Sequence, residues 1–373
     1  EDTTMKYLTI ILVLVLLPVW LSAQTSVPGG NVSGVWDAAG SPYNIQGDIT
    51  VPAGDTLVIE PGVTVFFQNW YYLEINGWLI TEGTEQDSIL FTSVPHGPGE
   101  PAWPGIYFID APDSSRMSYC IVENGRSYGI EPYHAGGAVF IRNSNPIIMH
   151  SHLRNNEARS MGGAIYINNS SPHIYRNVIE HNRAGSGASG EGAAISADSS
   201  APVITDNYIF NNSLGLAGGF SYARGSGTIY LFRSDGAIIK NNVVAGNVLS
   251  GSGNVGSYFR GSGVYAYYSD PIIENNTFDS DSTMWNSQNF EGGVIYLYYS
   301  YPTIKNNIFS NNLGGGIIAD GANYPTIEYN DFYNDYYLYF SGSPLPPGLG
   351  VLSRTNANGD SSDQYYNIFL DPM

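Results

Sequence analysis

Prolines recur along this 373-residue chain at Pro146, Pro172, Pro202, Pro271, Pro302 and Pro325. Gly236, in Ser234-Asp235-Gly236-Ala237-Ile238, fills the gap between Pro202 and Pro271. The spacing varies between 23 and 35 residues, so seven turns run from about Gly136 to Asp335. A period in that range marks a solenoid, whose units bury their apolar faces only by stacking on one another. Two units read almost alike: Gly162-Gly163-Ala164-Ile165-Tyr166-Ile167-Asn168-Asn169-Ser170-Ser171-Pro172 and Gly292-Gly293-Val294-Ile295-Tyr296-Leu297-Tyr298-Tyr299-Ser300-Tyr301-Pro302.

Alignment on the proline produces columns. Seven places before it stand Val139, Ile165, Ile195, Ile229, Val264, Ile295 and Ile318. Two places after it stand Ile148, Ile174, Ile204, Ile238, Ile273, Ile304 and Ile327. Seven places after it stand Leu153, Ile179, Ile209, Val243, Phe278, Phe309 and Phe332. Three apolar columns per repeat mean three short strands per turn, each turning one face inward. Each strand then pairs with its copy, parallel and about 4.8 Å away. Five places after the proline come Ser151, Asn177, Asn207, Asn241, Asn276, Asn307 and Asn330, an asparagine ladder at a turn. A looser ladder follows at Asn156, Asn182, Asn212, Gly246, Asp281, Asn312 and Asp335.

This Gly-Gly-x-Ile-Tyr…Ser-Pro-x-Ile…Asn-Asn pattern resembles the right-handed parallel β-helix repeats of the pectin-lyase-like superfamily. It is most similar to secreted bacterial β-helix proteins whose chains often end in a sorting domain for outer-membrane secretion. Gly47-Asp48-Ile49-Thr50-Val51-Pro52-Ala53-Gly54-Asp55-Thr56-Leu57-Val58-Ile59-Glu60-Pro61-Gly62-Val63 resembles their N-terminal rungs. The expected fold is therefore all-β: a right-handed parallel β-helix, three strands per turn, with an N-terminal cap.

Met5-Lys6, the apolar run Leu8 to Leu17 and the small Ala23 before Gln24 read as a signal peptide over 1–23 starting at Met5. Residues 24–44 should lead into the cap, 45–135 form irregular early rungs, and 136–340 form regular repeats. Early strands are expected near Ile49–Val51, Thr56–Ile59, Val63–Phe67, Leu73–Ile75 and Ile89–Thr92. The Pro/Gly-rich tail 341–373 should leave an open final rung. Asn367-Ile368-Phe369-Leu370-Asp371-Pro372-Met373 resembles the start of a further segment, which would engage an outer-membrane secretion machinery. The expected location is secreted or cell-surface, with no membrane insertion after cleavage.

The charge balance narrows the partners. The net charge is −19, which leaves little to neutralise nucleic-acid phosphates or anionic lipid. The single cysteine, Cys120, excludes an intramolecular disulfide and should be a small buried hydrophobe. Arg176, Asp206 and Lys240 fall four places after the proline, and Glu274, Lys305 and Glu328 three places after it. Both sets read as cross-strand pairs on a solvated wall rather than catalytic groups.

The catalytic members of the superfamily use acidic calcium ligands beside an Arg or Lys base, or clustered aspartates with a His and a basic pair. This chain has no adjacent Asp-Asp, no Ser-His-Gly and no Arg-x-Lys. His96, His134, His150, His152, His173 and His181 have no evident carboxylate partner, and His150 and His181 read as turn or surface residues. Asn356-Ala357-Asn358-Gly359-Asp360-Ser361-Ser362-Asp363 alternates oxygen side chains around a glycine. Calcium at Asp360 and Asp363 and a plain turn are the two readings, since no bidentate Glu closes the loop.

Two features suggest binding. If Ile165 points inward, Tyr166 points outward, and so do Tyr230, Tyr265 and Tyr296, with Phe232, Tyr267 and Tyr298 two residues on. They should form an exposed strip whose tyrosines offer a flat face and a hydroxyl to sugars. The insertions Arg183 to Glu191, Ser213 to Ser226, Val248 to Gly261 and Ser282 to Glu291 should emerge at one corner beside it. They carry Arg224, Arg260 and Trp285, expected to gate the strip, with Arg able to hold a uronate or sulfate. The alternatives are strand-forming aromatics that only stack on each other, and loops that only cover an apolar shoulder. Two function classes follow: a non-catalytic extracellular module that binds a polysaccharide or envelope component, and a polysaccharide lyase or glycoside hydrolase.

Overall fold

The structure, a computed structural model, describes residues 24–94, 102–130, 134–185, 189–216, 224–251, 258–285, 292–321, 324–335 and 339–371. The expected leader over 1–23 lies outside them. Apart from one short 3-10 turn at Ala38–Gly40, the regular elements are strands. They wind into a right-handed parallel β-helix. In a representative turn, Ile165–Asn168 lies on one face, His173–Tyr175 on the next and Val178–Glu180 on the third. These are called the second, third and first faces, of 12, 11 and 12 strands respectively.

The apolar columns form the core. Ile165 pairs with Val139 below and Ile195 above, and all three are fully buried. Like side chains lie over like, which a tight parallel stack enforces because neighbouring turns have the same backbone path. Gly162 and Gly163 permit the approach to each strand. Gly162 has φ +63°, and a Cβ there would strike the Ile165 carbonyl, while one on Gly163 would strike the Ala193 carbonyl of the next turn.

Two turns differ in register from the proline alignment. Between Ser234 and Ala237 the chain makes a tight turn through Gly236, φ +77°, with one residue more than its neighbours. Ala237 therefore stands in the proline's place. Ile239, Val244, Asn242 and Asn247 occupy the columns expected to hold Ile238, Val243, Asn241 and Gly246. Similarly Ile317, not Ile318, pairs with Ile295 and points inward. The same slip separates Lys240 from Arg176 and Asp206. Lys240, Glu274, Lys305 and Glu328 form one alternating column, with pairs at 2.9 and 3.0 Å, while Arg176 and Asp206 sit at left-handed turn positions.

Side-chain ladders tie the turns together. The first runs Ser151, Asn177, Asn207, Asn242, Asn276, Asn307, Asn330 and Asn367, with side-chain to backbone bonds of 2.9–3.0 Å at each step. A serine ladder, Ser144, Ser170, Ser200, Ser234, Ser269 and Ser300, links the turn between the second and third faces. Its signature is a serine two places before the aligned proline, which the column reading passed over.

Both ends depart from expectation. Residues 25–36, in the segment read as a lead-in, are a turn of the coil, parallel to strands at Tyr43–Ile45, Ile49–Val51 and Thr56–Ile59. The tail meets the last first-face strand, while Phe340–Ser343 remains the edge of the second face. Asn367 extends the asparagine ladder, Ile368 bridges to Asp331, and Leu345, Leu349 and Phe369 pack on the core. Cys120 is buried as expected and lies 3.0 Å from Thr81 Oγ1; burial pushes its thiol up to about 12.

Candidate functional site

The insertions do emerge at one corner, between the first and second faces, and their described residues include strands. Six short strands from Arg126–Ser127 to Ser282–Trp285 form a side sheet. Ser189–Glu191, Arg224–Ser226 and Tyr258–Arg260 add a parallel three-stranded wing. The wing has its own small core, where Phe259 packs on Leu214, Leu249, Ala184 and Ala193. Strand alternation then sets Glu191, Ser226 and Arg260 in one column, continuous with Met161.

The outer surface of the second face adjoins this wing. Its aromatic column is Tyr107, Phe140, Tyr166, then Ser196, then Tyr230, Tyr265 and Tyr296. Rings in contact are 5.3–5.5 Å apart, as the strand spacing dictates. Tyr230, Tyr265 and Tyr296 point outward as expected, yet they are not exposed: each is only 5–6% accessible. They form a second apolar cluster outside the coil with Phe232, Tyr267, Tyr298 and Ile318 around it. Alternation decides which side of a strand a residue faces; the wing and the stacked rings decide whether water reaches it. Burial raises the Tyr230 and Tyr296 phenols far above the usual range, so both stay neutral.

The water-exposed part of the strip lies one step further along, at the turn to the third face. Tyr268 and Tyr299 are 45% and 40% accessible and stack on each other at 5.4 Å. Tyr267 stacks on Tyr268 at 4.8 Å, and Tyr298 meets Tyr299 edge-on at 4.7 Å. Tyr301 and Tyr324 extend the patch. Tyr268 and Tyr299 hold φ of +50° and +47°, at positions where other turns have Asp110, Asn143, Asn169, Ser199, Arg233 or Gly321. The left-handed region suits Asn and Gly; for a bulky residue it costs about 1 kcal/mol or more.

Of the residues expected to gate the strip, Arg260 reaches it. Its guanidinium lies 4.6 Å from the Tyr296 ring centroid and 3.9 Å from Asp320, which accepts the Tyr296 hydroxyl at 2.9 Å. Arg224 and Trp285 end up on a wing strand and a side-sheet strand, and their side chains lie outside the described residues. The aromatics at 220, 222 and 290 also lie outside them.

A polar break interrupts the floor at Ser196. Its Oγ is buried with no hydrogen-bond partner. Glu191 ends a wing strand, and Asp198 follows Ser196 on the same outer surface. Burial first, and the Asp198 charge second, raise the Glu191 carboxyl. This pair had no sequence motif, because its members come from two different sheets.

Elsewhere, two histidines have a carboxylate after all. His152 Nε2 is 2.7 Å from Glu180 Oε1, and His181 Nδ1 is 3.2 Å from Glu180 Oε2. His150 and His181 occupy left-handed turn positions, as read. In the loop considered for calcium, Asn356 Oδ1 accepts from the Asn358 and Asp360 N–H groups, and Asp360 accepts from Asn356 Nδ2. Buried Asp363 accepts from Gly350, Tyr365 and Asn367. Those oxygens are engaged in an Asx-type turn and a buried cap.

A family model described as the right handed beta helix region matches residues 104–259 and 227–344. No curated protein matches. Among solved structures, a family 28 exopolygalacturonase from Yersinia enterocolitica is 10% identical, with a TM-score of 0.30, over 85% of this chain and 71% of that one. The long in-register parallel sheets and the family match agree, and the chain belongs to the right-handed β-helix family.

Proposed function

We propose that this protein is a secreted, non-catalytic β-helix module that binds a polysaccharide along the aromatic edge between its second and third faces. The observation that carries this reading is the presence of Tyr268 and Tyr299, exposed and left-handed, where Asn or Gly would cost less. A bulky ring held exposed in the left-handed region is the kind of feature from which a functional role is inferred. Tyr267, Tyr298 and Phe232 support the two rings from below. The buried tyrosines Tyr230, Tyr265 and Tyr296 set the floor, and Arg260 holds its edge. A glycan array with the mature chain tests the reading. Binding should fall about tenfold or more when Tyr268 and Tyr299 are both replaced by Ala, because each aromatic contact is worth about 0.5–1.5 kcal/mol. An identified glycan that binds the folded double variant unchanged would overturn it. Secretion is tested separately, by whether the exported chain begins at Gln24.

A glycoside hydrolase is the second reading, favoured by one observation. Glu191, at the end of a wing strand, has its carboxyl raised by burial first and by Asp198 second. Glycosidic cleavage uses two carboxyls, one to protonate the leaving oxygen and one to act as base or nucleophile, and a carboxyl raised by burial suits the first role. New reducing ends released by the parent but not by E191Q would favour it over the binding module. Unsaturated uronates would indicate a lyase instead.

A further inference from the structure

The ladder at the turn leaving the first face contains two aspartates: Asn212, Asn247, Asp281, Asn312 and Asp335 follow one another over successive turns. Each asparagine there has two tasks. Its Oδ1 accepts from the backbone N–H of the turn before and, where that turn supplies an asparagine, from its amide as well. Its Nδ2 donates onward to the next side-chain oxygen and back to a main-chain carbonyl: Asn212 to Ile179, Asn247 to Ile209, Asn312 to Phe278.

Asp281 performs the first task. Its Oδ1 accepts from Asn247 N at 2.8 Å and Asn247 Nδ2 at 2.9 Å. Its Oδ2 is left in the place of the donating nitrogen. It is buried and has no hydrogen-bond partner. The groups that the series brings to that place are the Val244 carbonyl and Asn312 Oδ1, and both are acceptors. An ionised carboxylate has nothing to donate to them; a carboxylic acid has one O–H. Asp335 repeats the arrangement. Its Oδ1 accepts from Asn312 N and Nδ2, each at 3.0 Å, and its Oδ2 is buried without a partner where the series brings the Phe309 carbonyl.

We propose that Asp281 and Asp335 fold into the coil as neutral carboxylic acids, so that its C-terminal turns form a proton-sensitive end that tightens on acidification. The surroundings favour this. The titratable groups facing them are the other ladder aspartate, the Tyr339 phenol and Asp279. Burial alone would raise Asp279, but bonds from Ser310, Asn311 and Ser280 outweigh it and keep that carboxyl below its usual range, so it stays ionised. Among the described residues no ion pair reaches either ladder aspartate. Burial raises Asp335 to about 6 and Asp281 well above the carboxylate range. A carboxyl raised on folding stabilises fully below its unfolded value, and that stability is lost as pH rises through the folded value. For Asp335 the window runs from the ordinary carboxylate range to about 6; for Asp281 it extends higher.

The test uses the full mature chain and the variants D281N and D335N, which restore the missing donor. Thermal midpoints are measured at mildly acidic and mildly alkaline pH, and the aspartate side-chain carbons are followed by NMR through the same range. Both variants should be more stable than the parent at alkaline pH, by roughly a hundredfold in the unfolding equilibrium for D335N. The gain should shrink on acidification, and the Asp281 carbon should keep its protonated shift at neutral pH. If both carbons titrate in the ordinary carboxylate range, or if the folded variants gain nothing at alkaline pH, the proposal is wrong. None of these outcomes depends on a glycan.

Discussion

At the scale of single residues, the stability of this coil depends on ladder asparagines whose buried amides are paired from turn to turn. Asn212 shows how much one side chain can hold. It accepts from Asn182 N and Nδ2 and donates to the Ile179 carbonyl and Asn247 Oδ1. Replacement by Ala leaves several of those groups buried and unpaired, each costing about 1–3 kcal/mol. N212A should therefore lower the denaturant midpoint steeply, by about 3 kcal/mol or more in stability. An effect below 1 kcal/mol would mean that water replaces the amide. Cys120 illustrates the same seclusion in its reactivity. With the thiol raised to about 12 by burial, the native protein should resist alkylation at mildly alkaline pH and react only on unfolding. Fast labelling of native protein would show that the turn around Thr81 and Cys120 opens.

At the scale of elements, one strand divides its residues between three environments. In Val264–Tyr267, Val264 and Ala266 face the core, Tyr265 faces the wing side and is buried there, and Tyr267 sits at the rim. Y265A should cost about 3 kcal/mol, like other buried aromatic truncations. Y268A, just beyond the strand, should leave stability unchanged or slightly raised, since Ala relieves the left-handed crowding only in part. Equal losses for the two would contradict the burial difference between them. Phe259 ties the wing to the side sheet through Leu214 and Leu249, outside the central core. F259A should expose the wing to proteolysis at lower temperature while the thermal transition of the coil stays in place, because the wing contributes nothing to the central column of side chains. A matching drop in the main transition would show that wing and coil unfold together.

At the scale of the molecule, the solenoid has one continuous core and two ends. The tail meets the second with Leu345, Leu349 and Phe369. Removing residues 345–371 uncovers Phe332 and the edges of the last strands, so the shortened chain should associate or aggregate at concentrations where the parent does not. Light scattering decides this. The net charge of −19 acts on the whole stack, and added salt should raise the thermal midpoint from its low-salt value by screening that repulsion.

Much of this architecture is written in one dimension. A parallel stack repeats its own backbone path, so residues that meet in space recur at the same place in each repeat. That is why the Ile columns, the asparagine ladder, the outward direction of Tyr265 and the corner of the insertions were all legible. An extra residue was invisible to the same logic: the tight turn at Gly236 shifts Asn242 and Ile239 by one place, and only the paired strands reveal it. Burial on the outer surface was hidden too. Alternation assigns a side of the sheet, but the wing that covers Tyr230 and Tyr296 comes from insertions with no shared length or pattern. The burial that raises the Glu191 carboxyl and the unpaired oxygens of Asp281 and Asp335 belong to the same class. Each is a relation between groups on different turns or sheets, and its energy depends on distance and exclusion of water, which the chain acquires only when the turns stack.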